Sequence, residues 1–413
     1  MPNLDPASNT LSLLRRLPRW AVVVWIVLLV GVIGRVAKAS PLSGTVVPIY
    51  LTAGERWLHG EDIYAPAPPH DVYRNPPGVA AFFAPLSLLP PKTAAILWRL
   101  FGVALYVTGL LKLLRQAPVE AATSRQLGLL AFLAALLIIP SFNNGQVNVA
   151  IIGSLLHATA DFRRGHLWRA AAWIAFASFF KIYPLALGLL FCVVAPRFLV
   201  RLVPTIVVAA LLPFACQQSD YVAAMHNRLV EFLELEGHFR AILTRAPWDW
   251  TIIARVWFDV QISKDTSQLV SAAAGLTFAV VVGFARWRRP EAAIGTAFSL
   301  GCIWMTLFGP ATENSTYTLL APAAALLMLN RPWYRQPVGL AAATLLALPI
   351  LRGLFPSSEV MPLRTAQPFA AILLLGLTVS DVLRSRRPVE MQEAQALLRP
   401  GFPSITSREA GGV

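Results

Sequence analysis

Residues 173–190 read Trp-Ile-Ala-Phe-Ala-Ser-Phe-Phe-Lys-Ile-Tyr-Pro-Leu-Ala-Leu-Gly-Leu-Leu. Lys181 interrupts an otherwise apolar run, with Tyr183-Pro184 close behind it. An ammonium between two apolar runs is costly unless it is paired, reaches water or holds an anion. A proline cannot donate to the helical ladder, so the break leaves backbone groups open for binding. The stretch therefore predicts two membrane segments joined by a polar hinge. Lys181 itself reads in two ways, as a cation that holds a phosphate or as a helix-end lysine that snorkels to the interface.

Polar clusters of the same kind break the hydrophobic part of the chain elsewhere. They are Gly44-Thr45-Val46-Val47-Pro48-Ile49-Tyr50 onward to Tyr73-Arg74-Asn75-Pro76, then Asn143-Asn144-Gly145-Gln146-Val147-Asn148, Trp248-Asp249-Trp250, and Thr312-Glu313-Asn314-Ser315-Thr316-Tyr317. Of 413 residues 56% are hydrophobic and only 14% charged, with a mean hydropathy of +0.60, which is not the balance of a soluble domain. The chain reads as an all-α integral membrane protein in a lipid bilayer. Its net charge of +14 does not point to nucleic acid, because Lys and Arg sit in short clusters between apolar stretches and not beside stacking aromatics. Cys192, Cys216 and Cys302 form neither a CxxC pair nor a disulfide framework and read as packing residues.

Charge also orients the chain. Windows able, or nearly able, to cross a bilayer lie at about 20–38, 93–114, 126–142, 149–162, 170–180, 182–195, 202–216, 268–285, 292–309, 318–330, 338–355 and 367–383, giving about twelve spans. Several fall short of the roughly 20 residues that a straight crossing needs, so either some boundaries lie elsewhere or some helices are half-helices that enter and leave one face. The stretch 78–89, hemmed by Pro76-Pro77 and Pro90-Pro91, is the re-entrant or interfacial candidate. The first span follows Arg15, Arg16 and Arg19, and Arg35 and Lys38 stand where a cleavage site should be small and uncharged, so it reads as a retained signal-anchor.

Alternate connections carry Lys112/Arg115/Arg125, Arg163/Arg164/Arg169, Arg197/Arg201, Arg286/Arg288/Arg289, Arg331/Arg335 and Arg384/Arg386/Arg387. The positive-inside rule puts these in the cytoplasm together with both termini, in a cell (inner or plasma) membrane. All the polar clusters then face the other side. Three parts follow: a cytoplasmic N-terminus at 1–19, a polytopic membrane domain at 20–383 with outer loops at about 39–77 and 217–267, and a cytoplasmic tail at 384–413 expected to be disordered. Within the second loop, 220–239 has the character of a helix lying along the membrane surface.

No HExxH, GxxxxGK[ST] or GxSxG motif occurs, so neither a metal, a cofactor nor a cytosolic nucleotide is implied. The polar residues at the outer ends of spans suit chemistry on a membrane-borne substrate. Gln146 and Asn148 either cap helix ends or bond sugar hydroxyls and phosphate oxygens. Glu55, Glu61, Asp62 and Asp71 are the first loop's carboxylates. Tyr50, Trp57, Tyr64 and Tyr73 around them read either as sugar-stacking rings or as an interfacial aromatic belt. Glu313 is a carboxylate close to the hydrocarbon, a functional candidate or an ion-pair partner of Lys181 or of an arginine. Asp249 is a candidate of the same kind, and Arg35 is a second candidate phosphate partner, or else a snorkelling arginine.

Tyr50-x3-Gly54-x3-Leu58-x-Gly60-x3-Tyr64, Tyr73-Arg74-Asn75-Pro76, Pro85-x4-Pro90 with Trp98 downstream, Asn144-Gly145-Gln146-Val147-Asn148 and Lys181-Ile182-Tyr183-Pro184 follow one another in order. This succession resembles the polyprenyl-phosphate-mannose-dependent mannosyltransferases of glycosyltransferase family 87, over roughly residues 20–330. The resemblance implies a multi-spanning GT-C architecture, a polyprenyl-phosphate sugar donor, a glycan or glycolipid acceptor and an inverting transfer. It also implies an Asp base a few residues before Tyr50, where this chain has Gly44-Thr45-Val46-Val47-Pro48-Ile49. Asp62 and Glu313 are the nearest replacements for that catalytic base, and Lys181, Arg35, Gln146, Asn148, Tyr50, Tyr64, Arg74, Asn75 and Asp249 are the expected substrate contacts.

Two other readings fit the layout: a secondary transporter, against which stands the lack of a visible internal repeat, and a non-catalytic partner of another envelope glycosyltransferase. The topology is testable with reporter fusions. One fused at the C-terminus is expected to report the cytoplasm and one within 217–267 the opposite side; both on one side would overturn the assignment.

Overall fold

The computed structural model describes residues 15–39, 44–116, 123–239, 248–310, 312–330, 337–352 and 361–384. The expected disordered tail falls at 385–413, outside the described residues. Among the described residues there are sixteen α-helices and no strand. In chain order they are α1 (Arg19–Lys38), α2 (Val47–His59), α3 (Pro77–Ser87), α4 (Pro91–Leu114), α5 (Ser124–Asn144), α6 (Asn148–Arg163), α7 (Leu167–Phe180) and α8 (Leu185–Val194). There follow α9 (Leu199–Cys216), α10 (Ser219–Phe239), α11 (Trp250–Phe258), α12 (Lys264–Arg288), α13 (Pro290–Leu307), α14 (Ala321–Asn330), α15 (Pro337–Arg352) and α16 (Ala366–Arg384). A 3₁₀ segment, Asn314–Leu320, leads into α14.

Each of the twelve apolar windows overlaps a helix, the one at 338–355 as far as the described residues reach. Six helices are long and apolar enough to cross a membrane by length and composition: α1, α4, α5, α9 with its leading turn, α12 and α16 with its leading turn. Three of these carry their apolar residues outward. Val23, Ile26, Val27 and Val30 on α1, Val200, Val203 and Val207 on α9, and Leu269, Leu276 and Val280 on α12 are exposed. In water such stripes would be untenable, and in a bilayer they are the lipid-facing surface.

Among the shorter helices, α6 is interior. α6 is buried at nearly every position, from Asn148 to Phe162, and is enclosed by α4, α7 and the 3₁₀ segment. Its contact with α4 is a small-residue seam, since a Cβ added at Gly153 would lie 2.6 Å from the Tyr106 backbone nitrogen and one at Gly109 2.7 Å from the Gly153 oxygen. The re-entrant expectation at 78–89 corresponds to α3, whose 11 residues are too few to cross. α3 packs against α2 with Val79, Ala80 and Phe83 fully buried. The first loop thus contains one helix, α2, packed on α3 just beyond it, and 220–239 is indeed helical, as α10.

The two ends of the bundle differ in chemistry. At one end, Asp161 is fully buried and gathers Lys112 at 2.6 Å, His166 at 3.6 Å and Arg169 at 3.8 Å, with the Trp173 indole donating to it at 3.2 Å. Arg163, Arg288, Arg289 and Arg384 lie at this same end. The polar clusters lie at the other.

Candidate active site at the amide-rich end

α5 ends on Gly145, whose φ of +73° belongs to the left-handed region. A Cβ there would lie 2.5 Å from Val47 Cγ2 and 2.8 Å from Arg99 Nη2, so only glycine turns the chain at this point. The turn leaves helix-end carbonyls in need of donors. Arg99 Nε donates to Phe142 O at 3.0 Å, and Arg99 Nη2 donates to Asn143 O at 2.9 Å. Arg35 Nη2 donates to the same Asn143 oxygen at 3.0 Å. Thr45 Oγ1 donates to Asn144 O at 2.7 Å, the Val46 N–H joins it at 3.0 Å, and the Trp98 indole donates to Gly145 O at 2.8 Å. Arg99 also reaches Thr45 Oγ1 at 2.8 Å, which ties the start of the first loop to the hinge.

Beyond the turn, the amides form a frame. Gln146 Nε2 donates to Glu313 Oε2 at 2.8 Å, and Asn148 Nδ2 donates to Gln146 Oε1 at 2.8 Å and to Ser315 O at 3.1 Å. Ser315 Oγ donates to Gln146 Oε1 at 2.7 Å and lies 3.4 Å from Glu313 Oε2. Tyr183 donates its hydroxyl proton to Asn148 Oδ1 at 2.9 Å. Gln146, Asn148, Tyr183 and Ser315 are buried, whereas the Glu313 side chain is exposed. Glu313 sits at the rim of a buried frame, one carboxylate oxygen accepting from the Gln146 amide.

Lys181 closes the frame. It follows the last residue of α7, half-buried, with Nζ 5.6 Å from the centre of the Tyr183 ring. Burial pulls its ammonium down from the ordinary lysine range, and the charge of Glu313, within electrostatic reach, acts in the opposite direction. Among the described residues Lys181 makes no ion pair, so the Lys181–Glu313 salt bridge considered from the sequence is not formed.

The first loop joins through Tyr50, whose hydroxyl lies near the Asn75 side chain and the Val147 backbone. Tyr64 donates to Asn75 O at 2.9 Å. The rings do not present open faces. Tyr50 packs on Phe83 with centroids 4.9 Å apart, Tyr64 on Tyr73 at 5.6 Å, and all of these are buried. They build the loop and leave no platform for a sugar, which corrects the stacking reading. Asp62 is engaged as well: Oδ1 accepts the Tyr64 N–H at 2.9 Å and Oδ2 lies 3.5 Å from Arg228 of α10. Arg74 pairs with Asp71 at 2.7 Å on the exposed side of the loop.

Asp249 is buried and caps α11, accepting from Thr251 N at 2.8 Å and Thr251 Oγ1 at 2.5 Å. Its neighbour Trp248 donates its N–H to Thr312 O at 2.7 Å and accepts from the Tyr317 hydroxyl at 2.7 Å. All the polar clusters of the sequence therefore meet at one end of the bundle.

The family model described as glycosyltransferase family 87 matches residues 73–310, more than half of the chain. The chain belongs to glycosyltransferase family 87. It is a membrane glycosyltransferase, and the transporter reading falls away. A comparison with curated proteins finds no match. The matched region holds the 143–148 turn, the Lys181 hinge and Asp249, and it ends just short of Glu313.

Two members of the site escaped the sequence reading of this family 87 protein. Ser315 lay inside a noted polar cluster without being singled out. Arg99 lay inside the window 93–114, and its signal was the charge itself, since an ionisable group within a membrane segment marks a site or a lock by default. Replacing it tests the lock. Arg99→Met should remove one charged donor from each of the Phe142 and Asn143 carbonyls, at about 1.5–3 kcal/mol for each hydrogen bond lost, and lower the thermal unfolding midpoint in detergent. An unchanged midpoint would show that other donors satisfy the turn.

Proposed function

We propose that this enzyme transfers a hexose, mannose by its resemblance, from a polyprenyl-phosphate donor to a hydroxyl of a glycan or glycolipid acceptor, on the extracytoplasmic face of the cell membrane and with inversion. The observation that carries the reading is the presence, around one buried amide frame, of an exposed carboxylate and an ammonium that makes no ion pair among the described residues. Inverting transfer from a phosphate needs a base for the incoming hydroxyl and a cation for the departing oxyanion.

In this reading Glu313 takes the acceptor proton as the hydroxyl oxygen bonds to the anomeric carbon. The bond from that carbon to the phosphate oxygen breaks on the opposite face, and polyprenyl phosphate leaves with the electron pair. Lys181 stabilises the charge that grows on the leaving group. Arg35 is a second anion contact: its guanidinium and that of Arg99 converge on Asn143 O, with no ion pair to either among the described residues. An anion there would offset two neighbouring positive charges. Gln146 and Asn148 act as positioning residues that hold the base. Asp62 ranks behind Glu313 because Arg228 and the Tyr64 N–H already occupy its oxygens.

The test is turnover of radiolabelled polyprenyl-phosphate mannose by purified protein in lipid. Glu313→Gln should lose about two to four decades of rate, while Asp62→Asn keeps most of it. Lys181→Ala should lower turnover by about a hundredfold or more with little change in unfolding midpoint. Full activity in Glu313→Gln would remove Glu313 as the base. An inactive parent with every polyprenyl-phosphate sugar would favour the non-catalytic partner.

A further inference from the structure

At the end of the bundle opposite the amide frame, a cavity of about 980 Å³ opens among α4, α6, α12, α13, α14 and α16. Its walls are of two kinds. Leu113, Ile294, Phe298, Leu327 and Val382 supply an apolar lining. Arg163, Arg164, Arg288, Arg289 and Arg384 supply a basic one, brought together from three chain turns far apart in sequence, with Glu291 and Asp381 the carboxylates among them.

These arginines are not equivalent. Arg288 lies over the rings of Phe284 and Trp287, at 5.0 and 5.9 Å, and Arg289 bonds Glu291 at 3.0 Å. Nearby, Asp161 neutralises Lys112 and Arg169. Arg163, two residues further along α6, has no hydrogen bond or ion pair among the described residues. It is half-buried and leans over Gly295, where an added Cβ would lie 3.6 Å from Nη2. A guanidinium drawn partly out of water without a partner is costly. Its planar fork matches the oxygens of a phosphate.

We propose that this cavity binds the phosphate headgroup of an anionic phospholipid from the leaflet on the basic side, with the acyl chains continuing along the apolar wall. A soluble anion would have no use for that wall, and basic pockets between membrane helices at the positive end are suited to anionic headgroups. The site is separate from the transfer site and does not rest on the transfer chemistry.

The full-length protein in detergent is titrated with phosphatidylglycerol, with phosphatidylcholine and with inorganic phosphate, and its thermal unfolding is followed. Phosphatidylglycerol should raise the midpoint by several degrees and phosphatidylcholine should not. Arg163→Gln should weaken the apparent affinity for phosphatidylglycerol by about tenfold or more, the worth of a charged hydrogen bond. Should that variant fail to fold, Arg164→Gln, on an exposed side chain, and Gly295→Leu, which fills the space beside Arg163, should weaken it in the same direction. Stabilisation by inorganic phosphate equal to that by the lipid would overturn the lipid assignment in favour of a soluble anion. Equal stabilisation by phosphatidylcholine, or an affinity unmoved in the variants that fold, would overturn the site.

Discussion

A helix that stops inside a membrane bundle leaves carbonyls that neither its own ladder nor solvent satisfies, and the rest of this structure depends on how α5 meets that constraint. Arg99, Arg35, Trp98, Thr45 and the Val46 N–H supply the donors at the 142–145 turn. They come from three separate parts of the chain, so satisfying one helix end also fixes α1, the first loop and α4 relative to α5. Charged donors make stronger hydrogen bonds than neutral ones, which suits a junction that must stay rigid beneath an exposed carboxylate. The frame of Gln146, Asn148, Ser315 and Tyr183 begins on the next residue after that turn.

The ends of the bundle use charge in opposite ways. At the basic end the buried carboxylate of Asp161 is surrounded by cations, and positive charge is partly absorbed within the protein. At the amide end, neutral hydrogen-bonding groups predominate. The two charges nearest the frame, Lys181 and Glu313, stay apart, each held by neutral neighbours. Fixed dipoles that hold charged groups in place without cancelling them are the arrangement that electrostatic preorganisation requires.

Much of this was legible in the sequence, for identifiable reasons. Hydropathy measures removal from water, which a bilayer imposes on every span whatever its neighbours, so all twelve windows overlap helices. Proline, glycine and polar runs marked the breaks, and charge separated the two ends. What the sequence withheld were meetings between distant residues. Nothing local to Gln146 announces Glu313, and nothing local to Arg99 announces the carbonyls of α5. Residue type was equally silent on exposure. A tyrosine that stacks on a sugar and one packed against Phe83 are the same letter, and so are an aspartate poised as a base and Asp249, which ends as a helix cap. The missing acid before Tyr50 has a local counterpart in space: Thr45 occupies that stretch, bonded to Asn144 and Arg99.

The hydrogen bond between Gln146 and Glu313 spans 167 positions of chain. During synthesis, the first eight helices are complete long before residue 313 is made, so the amides of 146–148 enter the membrane without the carboxylate they will hold. Contacts of such separation form late, after the loop between them has been ordered. A nascent or truncated chain carries the Lys181 hinge and the amides but not the carboxylate. The frame is complete only when the polypeptide has threaded α13 and the segment after it. Insertion order thus assembles the frame from its two ends, the amides first and the carboxylate last.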